Sequence, residues 1–213
     1  MKTIIFTLTL ILFTWSLSSA QNTSAHTTEI NKENSTVFNR EVSFENGTVH
    51  LNAKENDGVL WLSDISFRNG VIELDIKGRN APGQSFVGMA FHGKDNEAYD
   101  VIYFRPFNFK NPERKKHAIQ YISLPKYDWS TLRQTFPGKY ENEMKPVLEN
   151  VEEWFHARIV VNHPQVKVYV NGSGEPALEV DQISDTKQGK VGFWVGNGSE
   201  GWFRNLKITD GKK

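Results

Sequence analysis

From Phe38 onward the chain alternates between apolar and polar positions with a period of two, in short runs separated by turn residues. The clearest run is Gly70 to Lys77, with Ile72, Leu74 and Ile76 on one side and Val71, Glu73 and Asp75 on the other. Glu41–Glu45 and Thr48–Ala53 flank Asn46-Gly47, a hairpin signal because this pair accepts positive φ at both turn positions. Further strands are predicted over Val59–Ser63, Ser85–His92, His117–Ser123, Trp154–Asn162, Gln165–Val170, Ala177–Val180, Lys190–Gly196 and Trp202–Thr209. With no long helical pattern and no short internal repeat, the prediction is an all-β, two-sheet antiparallel jelly-roll sandwich, one domain over 37–210.

Two stretches break the rhythm. Ala98 to Phe109 starts as a strand, with Tyr99, Val101, Tyr103 and Arg105 on one face and Asp100, Ile102 and Phe104 on the other. Pro106 ends the ladder because it brings no N–H, and Phe107, Asn108 and Phe109 follow in an aromatic loop. The second is a long insertion at about 124–151, where Asp128 caps a predicted short helix from Trp129 to Gln134. So long a connection in a compact domain is the pattern of a lid or binding loop.

The ends read differently. Residues 1–20 have the form of an export signal: Lys2, an apolar run from Ile4 to Leu17, then Ser18-Ser19-Ala20. Residues 21–36 are polar and aperiodic, the composition of a flexible tether. The expected location of the mature chain is periplasmic or extracellular. Cysteine is absent, which excludes disulfides, thiolate metal ligands and a cysteine nucleophile. Lys and Arg total 25 against 25 Asp and Glu, so neither a nucleic-acid footprint nor an acidic tail is present. The six histidines show no ligand spacing, which argues against zinc.

The candidate ligand residues are Tyr103, Arg105, Asn108, Gln120, Trp129, Arg133 and Tyr140, with Asp100 and Glu141 among them. Arginine grips a hydroxyl pair or a carboxylate in a fork, aromatic rings offer faces to sugar C–H edges, and amides donate and accept at neighbouring hydroxyls. The bland alternative is a loop packed by its own aromatics, with Arg105 paired to an acid. Glu73 and Asp75 also share a strand face in a way that resembles the alternating acids of laminarinase-type glucanases, but Lys77 and Gly78 stand where the resemblance implies a third acid. That face reads as a solvated one.

Trp154–Asn162, Val166–Gly172, Gly189–Gly196 and Gly201–Ile208 resemble the closing strands of the concanavalin A-like jelly-roll superfamily, which includes laminin-G modules, lectins and laminarinase-type glucanases. Together with Gly70–Gly78 and Ala98–Tyr103, their order is similar to the 3-keto-disaccharide hydrolase family of Bacteroidetes. The resemblance implies a carbohydrate partner, either bound as a glycan or turned over as a 3-keto glycoside by a hydrolase or lyase, with a laminin-G-like protein-interaction module as a third reading. For turnover it implies a base beside the ketone, for which Asp100, Glu141 and His92 are the candidates. It leaves calcium open, with Asn56-Asp57-Gly58 and Asp210 as the oxygen donors to consider. A monomer without membrane association after signal cleavage is the expected state.

Overall fold

The computed structural model describes residues 25–26 and 30–211. The expected signal segment and much of the expected tether lie outside the described residues. The strands run β1 (Ala25–His26), β2 (Ser35–Phe38), β3 (Val42–Glu45), β4 (Thr48–Leu51), β5 (Gly58–Leu62), β6 (Gly70–Lys77), β7 (Val87–Gly93) and β8 (Tyr99–Phe104). They continue as β9 (Ile119–Leu124), β10 (Glu141–Asn142), β11 (Phe155–Asn162), β12 (Gln165–Val170), β13 (Leu178–Asp181), β14 (Lys190–Val195) and β15 (Gly201–Asp210). One helix, α1 (Trp129–Thr135), lies between β9 and β10.

Two antiparallel sheets result. The first runs β13-β12-β11-β6-β15-β4-β3, and β1 pairs with the far end of β15. The second runs β10-β9-β8-β7-β14-β5-β2. β1 and the first two residues of β2 fall within the stretch expected to be a tether; both strands find ladder partners, on β15 and β5. At the first hairpin Asn46 and Gly47 take φ of 50° and 73°, the conformation that the pair was expected to supply.

The core forms where the inner faces meet. Phe104 of β8 packs on Phe155 of β11 with ring centres 4.8 Å apart, and Phe193 of β14 stacks on Phe203 of β15 at 4.7 Å. The two sheets then differ. β6 and β11 bury alternate residues and leave the others part-exposed, as one solvated face requires. β7 and β8 are buried at every position. The outer face of the second sheet is therefore covered as well, by its own aromatic rings and by α1, which packs on β9.

Across that outer face Trp194, Gly88, Tyr103, Gln120 and Glu141 stand side by side on β14, β7, β8, β9 and β10. A Cβ on Gly88 would lie 2.1 Å from the Ile102 carbonyl oxygen and 2.6 Å from Tyr103 Cα. Glycine is what allows β7 and β8 to approach there, and the rings of Tyr103 and Trp194 meet beside it at 5.1 Å.

Candidate functional site

At the Gly88–Glu141 end of this face lies a hollow of about 420 Å³, lined by Gly83, Phe86, Arg105, Phe107, Asn108, Arg114, His117, Trp129 and Arg133. Its size suits a small ligand. Four parts of the chain line it: Gly83 and Phe86 before β7, the end of β8 with the turn after it, Arg114 and His117 ahead of β9, and the insertion. The end of β8 and the short 3-10 turn Pro106–Asn108 supply Arg105, Phe107 and Asn108. The insertion supplies Trp129 and Arg133 from α1, whose N-terminus is capped by Asp128 accepting from the Thr131 N–H at 2.7 Å.

Arg105 precedes Pro106 at the end of the ladder, where its N–H still reaches the Ala118 carbonyl at 2.8 Å, and its guanidinium folds back over the sheet. Nη1 donates to the His117 carbonyl at 2.8 Å, Nη2 to the Tyr103 hydroxyl at 2.5 Å, and both reach Gln120 Oε1 at 3.3 and 3.4 Å. The same cation lies 4.8 Å from the Tyr103 ring centre. Burial pushes the guanidinium down from its ordinary pKa, and the neighbouring Arg133 pushes the same way, against Tyr103 and Glu141. Tyr103, fully enclosed, has its phenol pushed up to about 12 by burial. Gln120 is fixed at its other end by donating to the carbonyls of Tyr121 and Tyr140.

Glu141 organises the second wall. Arg133 grips it in a fork, Nε to Oε1 at 3.0 Å and Nη2 to Oε2 at 2.6 Å. His117 Nδ1 stands 2.8 Å from Oε2 and Arg105 Nη1 3.9 Å from it. Burial alone would raise the carboxyl pKa, but bonds from Arg133 and His117 outweigh it and hold the group below its usual range. Arg133 also lies 5.0 Å from the Trp129 ring centre, which keeps a ring that is 47 % exposed at the rim. Asn108 donates from Nδ2 to the His117 carbonyl, while its buried Oδ1 has no partner.

The structure thus brings together Arg105, Asn108, Trp129 and Arg133 in the lining, with Tyr103, Gln120 and Glu141 directly behind them. Tyr140 sits apart from the lining, packed between Tyr121 and Phe136. Asp100 and His92 are elsewhere. Both are buried in a bonded chain: His92 Nε2 meets the Arg68 carbonyl at 2.7 Å, and Gln182 Nε2 reaches His92 Nδ1 at 2.9 Å and Asp100 Oδ2 at 2.8 Å. Ser184 also donates to that oxygen at 2.7 Å. Because β8 alternates, Asp100 points to the opposite face from Tyr103. Phe109 likewise belongs to the core, against Phe155.

Phe86, Arg114 and His117 also line the hollow. Arg114 belongs to the run Lys110–Lys116, which looks like any solvated basic loop in sequence. The Asn56-Asp57-Gly58 turn has a cation of its own. Arg40 donates to the Asn56 carbonyl at 2.7 Å, and its charge opposes the rise that burial imposes on the Asp57 pKa. Among the described residues no cluster of three or more His, Asp or Glu could hold a metal ion. No helix among them is long and apolar enough to cross a membrane.

A two-sheet jelly roll with a hollow on one outer face is the architecture of concanavalin A-like proteins. The chain belongs to the 3-keto-alpha-glucoside-1,2-lyase-like domain family, whose sequence model matches residues 15–209. A search of curated protein sequences finds no match. Among solved structures it resembles the carbohydrate binding module CBM66 from Bacillus subtilis, with a TM-score of 0.60, 14% identity, and 82% of this chain and 95% of that one covered. It also resembles a putative glycosyl hydrolase from Parabacteroides distasonis, with a TM-score of 0.53, 18% identity and coverage of 84% and 94%. The exoplasmic/lumenal domain of VIP36, solved with Ca2+ and Man3GlcNAc, matches with a TM-score of 0.57, 11% identity and 84% coverage of each chain. At these identities the likeness is one of fold.

Proposed function

We propose that the chain is an exported, carbohydrate-active β-sandwich that holds a glycan or glycoside in the hollow between the end of β8 and α1. The observation that carries this reading is the pairing of an exposed ring, Trp129, with fixed polar groups, Arg105 and Asn108, around one small-molecule-sized space. A sugar ring stacks on the indole face while its hydroxyls take up the directional donors and acceptors. The fold partners supply support of the same kind: one is a carbohydrate binding module, another was solved with a bound mannose-containing glycan. Trp129→Ala tests it. The ring is about half exposed at the rim, so the variant should stay folded, with a small shift in unfolding midpoint, and lose about tenfold in affinity on a glycan array. Unchanged glycan binding would remove the hollow as the site.

One observation favours a second reading, turnover of a 3-keto glycoside, as the family's description implies. His117, part-exposed in the lining, has Nδ1 against the Glu141 carboxylate, which leaves Nε2 for a ligand. In this reading His117 takes the proton from the carbon beside the ketone. The electron pair moves onto the ketone oxygen, stabilised by a guanidinium of Arg105 or Arg133, and then returns to form a C=C bond as the glycosidic C–O bond at the neighbouring carbon breaks; the leaving oxygen takes the proton from the His117 imidazolium and departs as an alcohol. Incubation with a 3-keto-glucoside decides it: His117→Gln should keep binding and stop release of the aglycone, and absence of turnover by the wild type removes the reading.

A further inference from the structure

The charges around the hollow do not balance. Arg105, Arg114 and Arg133 line it, and none of the lining side chains is acidic. Behind the lining one carboxylate, Glu141, faces Arg133, His117 and Arg105 together. Three arginines against one glutamate leave an excess of two positive charges even with His117 neutral. Arg114 has no ion-pair partner among the described residues, although its chain neighbour Lys115 has one in Glu143 at 3.2 Å. The nearby acid is therefore engaged by the lysines, Lys115 and Lys145, and Arg114 at the hollow is left unmatched. Cations of one sign gathered around a concave space attract a counter-ion, most strongly where one of them, as Arg105 here, is buried.

We infer that the saccharide taken by this hollow is an acidic one, with a carboxylate or sulfate group set against Arg114 and the Arg105–Arg133 pair. The inference rests on the saccharide reading above and specifies its ligand class. The fork of Arg114 suits both groups, because each offers two or more acceptor oxygens in its plane, while Arg105 and Arg133, whose own forks are taken by Tyr103, Gln120 and Glu141, add charge from behind. The sugar body lies toward Trp129, and Asn108 Oδ1, a buried acceptor without a donor, is matched by a hydroxyl hydrogen. A neutral glycan would leave the positive charges of the hollow facing one another. That repulsion already contributes to the lowered pKa of Arg105.

The test is a glycan array of matched sets: a uronic-acid oligosaccharide, its methyl ester, a sulfated oligosaccharide and its neutral parent, read at low and high salt. Binding to the uronate or the sulfated member should exceed its neutral counterpart by about tenfold or more, the scale of one charge-assisted contact, and should weaken with salt. Which of the two acidic members binds identifies the group. Arg114→Gln, an exposed change, should remove most of this preference, read as a fall of about tenfold in the ratio of acidic to neutral binding. Equal or stronger binding of the neutral members overturns the inference while the saccharide reading stands. Binding to no member of any set removes both. Competition by inorganic sulfate as effective as that of the sulfated oligosaccharide would show an anion site without sugar recognition, and would also overturn it.

Discussion

Each sheet carries on its outer side one cluster of the same four residue types. On the first, Asp75 binds His156 Nδ1 at 2.9 Å and Arg204 Nε at 3.3 Å, and Arg204 lies 4.2 Å from the Trp154 ring centre. On the second, Glu141 binds His117 at 2.8 Å and Arg133 at 2.6 Å, and Arg133 lies 5.0 Å from the Trp129 ring centre. An acid, a histidine, an arginine and a tryptophan beneath it recur on both. The difference is topography. The Asp75 cluster spreads over the solvated face of β6, β11 and β15, and its carboxylate is 18 % exposed. The Glu141 cluster stands on the wall of a hollow, and its carboxylate is 4 % exposed. A constellation of residue types becomes a site when something can sit among them, and only the second sheet has an insertion that builds a wall.

The contrast makes unequal demands on the two acids. Glu141→Gln leaves Arg133 and His117 facing a neutral amide at a closed position, and should lower unfolding stability by about 2 kcal/mol, read as a fall in the urea midpoint. Asp75→Asn removes a more accessible charge whose partners water can solvate, so its cost should stay below about 1 kcal/mol. Equal losses would mean that the two faces are alike in environment. Acid sharpens the comparison further. Burial works to raise both carboxyl pKa values, but bonds from Arg133 and His117 hold Glu141 below its ordinary value, and bonds from His156, Asn205 and Arg204 do the same for Asp75. A depressed carboxyl contributes stability that is present above its unfolded pKa and lost as pH falls through the folded one. The gap between wild type and either variant should therefore hold at neutral pH and close below the ordinary values of 4.5 for Glu141 and 3.8 for Asp75, as urea midpoints against pH would record.

Much of the frame was legible before any coordinates. The alternation of Gly70–Lys77 marks β6 to the residue, Asn46-Gly47 marks a hairpin, and Asp128 marks the start of α1, because each is a local rule obeyed locally. β10 was not legible. Two residues paired to β9 make no period, and only the tertiary structure brings Glu141 opposite Gln120. The lining divides in the same way. Arg105, Asn108, Trp129 and Arg133 stood out because arginine and aromatics were concentrated where the strand pattern stopped. Arg114 and His117 did not, since a basic loop and a strand-opening histidine have no periodicity to betray which way they face. Asp100 and His92 show the opposite error. Their chemistry suggested a base, but strand parity turned Asp100 inward, and Gln182, far along the chain, bonds both.

The hollow's walls have separable sources. Arg105, Phe107 and Asn108 hang from the sandwich itself, whereas Trp129 and Arg133, with Glu141 behind them, all arrive on the stretch between β9 and β11, which pairs with β9 through a two-residue edge strand. Such a stretch is an exchangeable cartridge on a permanent chassis. Swapping it among relatives would rewrite the ring-bearing wall of the recognition surface in one genetic event, while the strands that make the protein fold would inherit no change.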